Sequence, residues 1–236
     1  MTGQPVAGHS DYPNTTVDNA GTVECMSASL QGSLLDLTDE PAFGSLAGLR
    51  RITLSDGAWV DTLPGWLRGA DELFGRLQEV VPWQAERRRM YDRVVDVPRL
   101  LCFYDEGEPL PDPLLAQARE LLSGHYEPEL REPFVTAGLC QYRDGRDSVA
   151  WHGDRIGRGR RHDTIVAILS LGTPRPLLLR PQRPHSAGET QRFDVGHGDL
   201  LVMGGSCQRT WQHAIPKSAR PTGPRISVQF RPRNVR

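Results

Sequence analysis

The side chains best placed to do chemistry in this chain are His152, Asp154 and His213. Two imidazoles and one carboxylate on one face of a six-coordinate ion suit Fe(II), and they leave three positions open on the opposite face. Three open positions are what a mononuclear iron needs to bind an oxoacid and dioxygen together. His152 and Asp154 are two residues apart at the end of a predicted strand, Ser148-Val-Ala-Trp-His. Period-two alternation puts both on one face and Trp151 on the other. His213, in RTWQHAIP, also lies on a predicted strand, which a jelly roll can bring back opposite the pair.

An H-x-D pair carries little weight alone. Seven His and 17 Asp in 236 residues give about half an occurrence by chance. The chain has three: His9-x-Asp11, His152-x-Asp154 and His197-x-Asp199. His9 sits in a polar N-terminal stretch. In VGHGDLLVM the flanking glycines signal a tight turn entering a strand, where Asp199 is expected to bond backbone rather than metal. His125, His162 and His185 fall in loops or at element ends and read as surface residues.

The second informative stretch is Arg225-Ile-Ser-Val-Gln-Phe-Arg231. On a strand, Arg225, Ser227, Gln229 and Arg231 share one face, and Ile226, Val228 and Phe230 share the other. The apolar set covers a core. The polar set faces a cavity or solvent, and its two guanidinium groups could grip a dicarboxylic acid through bidentate bonds. An exposed edge strand explains the same alternation. Nearness to His213, 12 residues earlier, favours a pocket.

A length of 236 residues fits one domain, or one domain with an appendage, with enough chain for a core that needs no staples. The first 45 or so residues are polar and aperiodic, and we expect a flexible extension over 1–45 and a folded domain over 46–236. Helical spacing of Leu67, Ala70, Leu73, Phe74, Leu77 and Val81 predicts a helix over 66–81, ended by Pro82. A second is predicted over 113–123, with Pro113 near its start and Gly124 just beyond its end. Between them, ERRRMYDRVVDVPRLLCFY reads as strands joined by a loop.

From residue 134 onward, short apolar runs at 135–142, 148–152, 164–171, 177–179, 192–195, 200–203, 210–214 and 226–230 alternate with Gly, Pro and Asp clusters. About eight such strands predict a jelly roll or sandwich with helices on one side.

Apolar runs such as 165–169 are too short to span a bilayer, and no basic start followed by an apolar stretch suggests a secretory signal. Four scattered cysteines without a CxxC pair suit a reduced cytoplasm, where we place the protein, and argue against a disulfide framework. We expect a monomer. The net charge of −1 hides an asymmetry: residues 1–139 hold 11 Arg and 22 acids, and residues 140–236 hold 17 Arg or Lys and 7 acids. A basic half can meet phosphates, although 27 of the 28 basic residues are Arg, so genomic composition and a solvated face explain it too.

From about residue 59 to 232 the chain resembles the AlkB family of nucleic-acid dealkylating oxygenases. The likeness is strongest through QYRDGRDSVAWHGD, IVAILSLG, GDLLVMGGSCQRTWQHAIPK and PRISVQFRP. The resemblance implies an α+β, mainly β fold: a double-stranded β-helix (jelly-roll) core with N-terminal supporting helices and a nucleotide-recognition lid. It implies iron bound by His152, Asp154 and His213. It also implies 2-oxoglutarate held by Arg225 and Arg231, with Tyr142 and Ser227 hydrogen-bonding to it.

MYDRVVDVPRLLCFY resembles the lid, where Tyr91 could stack on a flipped base or pack on the core. Cys140 stands where many members have Asn, and Arg155 and Ile156 follow the H-x-D pair where members often carry an acid.

The activity implied is oxidative demethylation of N-alkylated bases in DNA or RNA. It consumes Fe(II)-bound 2-oxoglutarate and O2 and releases succinate, CO2 and formaldehyde, as in alkylation-damage repair. The base must be unpaired or flipped out, and Arg158, Arg160, Arg161, Lys217 and Arg220 are candidates for the phosphates. Two other readings stand beside it: an oxygenase acting on a protein or small molecule, and a non-catalytic jelly-roll module whose His cluster is structural or holds zinc. Oxoglutarate turnover separates the last from the other two.

Overall fold

The computed structural model describes residues 40–90, 93–154, 157–182 and 188–235. In chain order it contains β1 (Ala42–Phe43), β2 (Arg50–Thr53), β3 (Ala58–Leu63), β4 (Leu67–Arg68), α1 (Ala70–Val80), β5 (Gln84–Met90), β6 (Arg93–Tyr104) and α2 (Pro113–Leu130). There follow β7 (Thr136–Tyr142), β8 (Val149–His152), β9 (Val166–Gly172), β10 (Arg175–Pro181), β11 (Gln191–Val195), β12 (Asp199–Gly205), α3 (Cys207–Thr210), β13 (Trp211–Ile215) and β14 (Arg225–Arg231). Each of the eight apolar runs after residue 134 is a strand.

Apart from β1 and β4, which pair with each other, the strands form an eight-stranded sheet, ordered β2-β3-β12-β9-β14-β7-β6-β5, and a four-stranded sheet, ordered β11-β10-β13-β8. All their pairings are antiparallel. Together they make the double-stranded β-helix.

Period-two alternation explains the layering. Leu139 of β7, Leu169 of β9, Val202 of β12 and Val228 of β14 point from the large sheet toward the helices, where they pack with Leu73 and Leu77 of α1 and Leu115 and Leu122 of α2. Their neighbours Tyr142, Ile168, Met203 and Val60 point the other way, against Leu177, Leu179, Trp211 and Ile215 of the small sheet. The helices therefore support one face, and the opposite face is left to line whatever lies between the sheets.

Both helices depart from their predicted limits for local reasons. α1 starts at Ala70, not 66, because Gly69 is left-handed (φ 61°) and Leu67–Arg68 pairs with β1 instead. Residues 42–43, assigned by sequence to the extension, thus join the described fold. α2 starts as expected: the Asp112 side chain accepts from the Leu114 amide at 2.9 Å, with Pro113 at the first helical position. It runs through Gly124 to Leu130, because Tyr126, two residues further on, is buried and donates to Asp61 Oδ2 at 2.9 Å. Tertiary contact outweighs the stop signal.

Asp61 also accepts from Arg51 Nε and Nη2 at 2.8 and 2.7 Å. The Arg51 guanidinium lies 3.7 Å from the Trp59 ring centre, and that ring stacks on Tyr126. Gly204 of β12 passes across the Trp59 ring so closely that an added Cβ would stand inside the ring's envelope. With its ring held from two sides, Trp59 cannot step away. Gly204→Ala should cost about 1–3 kcal/mol of overpacking, read as a thermal midpoint lowered by several degrees. An unchanged midpoint would show that the ring yields freely. Among the described residues no helix is long and apolar enough to cross a membrane.

Candidate active site

β8 and β13 are neighbours in the small sheet, and their register sets His152 directly across from His213. The two rings lie 4.2 Å apart, centre to centre. Asp154, just past the end of β8, brings Oδ1 to 3.7 Å from His152 Nε2. One ligand atom from each of the three residues lies within 4.8 Å of the others. The partners of these side chains fix which atoms remain to bind an ion. His152 Nδ1 is 2.8 Å from the Ala150 carbonyl, which only accepts, so Nδ1 carries the proton and Nε2 keeps its lone pair. Asp154 Oδ2 accepts from Arg231 Nε at 2.8 Å, and the Asp154 amide donates to Gln208 Oε1 at 3.0 Å. Oδ1 is left facing the imidazoles.

Electrostatics point the same way. Burial opposes ionisation of Asp154, but the charge of Arg231, the two histidines and the Arg231 hydrogen bond outweigh it and hold the carboxyl well below the usual carboxylate range. Burial, with His152 alongside, lowers His213 to about 3. Near neutrality the set is therefore one anionic oxygen and one unprotonated imidazole, with a second imidazole nitrogen turned toward them. That is a facial donor set for a divalent ion.

The three residues open onto a cavity of about 580 Å³ between the sheets. Its floor is the alternating face of β14, which lies between β9 and β7 and is no edge. Arg225 is 2% exposed. Its Nε donates to Ser170 Oγ at 3.0 Å, and its Nη1 is buried without a partner among the described residues. Burial pulls its pKa below the ordinary arginine value, only partly offset by Tyr142 and Cys140.

The Tyr142 ring centre is 5.3 Å from that guanidinium, and burial, reinforced by Cys140, pushes the phenol up to about 12, so it stays a donor. Behind Tyr142, buried Arg175 bonds the backbone carbonyls of Asp144, Asp147 and Pro216. Arg231 is committed at one end to Asp154, and Ser227 lies between the two arginines on the same face.

The remaining candidates separate cleanly. Asp199 accepts from the amides of Gly65 and Gly196 at 2.8 and 2.6 Å, and His197 Nδ1 accepts from the Gly172 amide at 2.7 Å, so this H-x-D builds a turn. Trp151 faces outward under the Arg180 guanidinium. His125 and His162 are exposed. His9, Tyr91, Arg155 and His185 lie outside the described residues. Sequence reading missed Arg99, Gln208 and Gly138. Arg99 lines the cavity from β6, and nothing in V-P-R announces it.

A family profile of the 2OG-Fe(II) oxygenase superfamily matches residues 102–231. The alpha-ketoglutarate-dependent dioxygenase alkB homolog 3 of Bos taurus is 31% identical, over 79% of this chain and 68% of its own. The chain belongs to the AlkB family. This AlkB-family oxygenase is also 25% identical to the DNA oxidative demethylase ALKBH2 of Arabidopsis thaliana, over 67% of this chain and 60% of that one. Among solved structures, OsALKBH1 shares its fold with a TM-score of 0.52 at 14% identity, covering 76% of this chain and 100% of that one.

The family's cofactor and co-substrate fit the residues present. His152 Nε2, Asp154 Oδ1 and His213 would hold Fe(II), and the buried Arg225 guanidinium, whose Nη1 has no partner among the described residues, would suit a carboxylate. When bound, Fe(II) and 2-oxoglutarate supply the activation of dioxygen. The AlkB-family chain contributes binding and shape. Arg231 turns the Asp154 carboxylate so that one oxygen stays toward the histidines. The Ala150 carbonyl keeps the His152 proton away from them. Apolar walls from Val166, Ile168, Leu201 and Met203 limit water in the cavity.

Proposed function

We propose that this dioxygenase removes alkyl groups from nucleobases, consuming 2-oxoglutarate and O2 and releasing succinate, CO2 and an aldehyde, in repair of alkylated DNA or RNA. The observation that carries this reading is the far wall of the cavity. There the paired strands β5 and β6 contribute Gln84, Glu86, Arg99, Leu101 and Phe103 to the lining of the same cavity that His152, Asp154 and His213 line. An amide, a carboxylate, a guanidinium and a half-exposed aromatic suit a flat, polar heterocycle that needs both edge hydrogen bonds and stacking. The resemblance to a DNA oxidative demethylase favours the same substrate class.

The surface supports a modest grip on phosphates. Much of the basic excess after residue 140 is spoken for: Arg175, Arg225 and Arg231 are buried. Arg143, Arg146, Arg192, Arg209 and Arg233 pair with Asp147, Asp144, Asp194, Asp163 and Glu106. Arg160, Arg161, Lys217 and Arg220 are exposed. With about four phosphates engaged on a single strand, log K should fall with log salt at a slope of about −3. A flat response in a binding titration would remove phosphate contacts from the account.

The direct experiment incubates methylated single-stranded DNA with enzyme, Fe(II), 2-oxoglutarate and ascorbate, followed by mass spectrometry. Loss of one methylene mass, matched by succinate, is expected. Oligonucleotide-independent succinate with an unchanged methyl group would point to a protein or small-molecule substrate instead.

A further inference from the structure

Gln229 sits on the cavity face of β14 between Ser227 and Arg231, and every polar atom of its amide is engaged. Nε2 donates to Ser227 Oγ at 2.8 Å and to the Ser227 carbonyl at 3.3 Å. Oε1 accepts from Arg231 Nη2 at 3.3 Å and lies 3.7 Å from Cys140 Sγ. The partners fix the orientation of the amide. A guanidinium can only donate and a carbonyl can only accept, so oxygen must face Arg231 and nitrogen must face Ser227. Room for this arrangement comes from Gly138, opposite Gln229 in the ladder. A Cβ there would meet Arg231 Nη1 at 2.8 Å and Gln229 Oε1 at 3.3 Å.

We infer that Gln229 is a positioning residue for the oxoacid: it sorts the pocket so that its neighbours present donors to a dianion. A serine hydroxyl has one hydrogen to give and lone pairs to receive. With a lone pair of Ser227 taken by the Gln229 amide, the hydrogen is what remains for a carboxylate in the cavity. Arg231 is held at two edges, Nε by Asp154 and Nη2 by Gln229. Its plane is therefore fixed while other N–H groups stay available. The inference rests on Arg225, Ser227 and Arg231 forming the 2-oxoglutarate site.

Gln229→Glu keeps the shape and reverses the sorting. A carboxylate draws the Ser227 hydrogen to itself, pulls on Arg231 and repels the dianion. Gln229→Met removes the polarity and leaves Ser227 to turn either way. Anaerobic titration of 2-oxoglutarate into the Fe(II)-loaded protein, followed by the charge-transfer absorption of the complex, should show Gln229→Glu weakened at least about tenfold and Gln229→Met less, about threefold. KM for 2-oxoglutarate should rise alongside, with kcat at saturation little changed and thermal melting close to wild type.

A packing role predicts the opposite order, with the isosteric Glu milder than Met. Wild-type binding by Gln229→Glu would overturn the inference. Should that variant fail to melt cooperatively, wild-type binding by Gln229→Met would overturn it in turn. A wild-type protein showing no oxoglutarate-dependent absorption would instead overturn the assignment of the co-substrate site itself.

Discussion

Arg225→Met is expected to make the ligand-free protein more stable while crippling its use of 2-oxoglutarate. Stability and function part company here because Arg225 is a buried cation with a hydroxyl partner, Ser170, but no carboxylate among the described residues. An uncompensated charge in the interior is costly, and replacing it with an apolar side chain of similar length should return about 1–4 kcal/mol, a rise of several degrees in the midpoint. The same substitution would remove the buried cation offered to a carboxylate of 2-oxoglutarate. Losing one partner of a buried charge pair costs about 2–5 kcal/mol, so KM for 2-oxoglutarate should rise about 30-fold or more. Differential scanning of the apo protein and succinate kinetics read the two halves separately. A lower midpoint together with an unchanged KM would mean that Arg225 is a structural residue and the oxoacid binds elsewhere.

Asp154 and Asp199, each two residues after a histidine, should respond in opposite ways. Asp154→Asn keeps an oxygen to accept from Arg231 and so keeps the fold, but it removes the anionic ligand. The loss of iron-dependent succinate should exceed the roughly 10–100-fold typical of an outer partner of a metal site, with iron content falling in parallel. Asp154→Ala should lose activity equally and also melt earlier, because Arg231 is left buried with its charge unpaired. Asp199→Ala orphans the amides of Gly65 and Gly196. It should cost about 1–3 kcal/mol of stability and leave iron content and turnover per folded molecule near wild type. The reverse pattern would place the metal at the other pair.

Much of this site is legible in sequence because strand alternation is a local rule. It puts His152 and Asp154 together, sends Trp151 outward and collects Arg225, Ser227, Gln229 and Arg231 on one face. Alternation cannot say what that face meets. An exposed edge and a pocket floor read alike, and the deciding fact is that β14 lies between β9 and β7, an order set by the whole chain. Long-range partners are equally hidden. Arg231 and Asp154 are 77 residues apart, and Arg231 looks like one arginine among many until the two meet. Charge counting misleads for a related reason, since three of the basic residues after 140 are interior. In α2, Gly124 is an honest local stop signal that loses to Tyr126 reaching Asp61.

β14 is hydrogen-bonded along both margins, whereas β5 closes the sheet with a single neighbour, β6. Freeing β14 means dismantling two ladders, and freeing β5 only one. The strand that carries Arg225 and Arg231 should thus breathe more slowly than β5, on the side proposed above to meet the substrate. On that proposal, substitutions in β5, one strand removed from the pair of ladders that hold β14, should alter what the enzyme accepts with less effect on its use of 2-oxoglutarate.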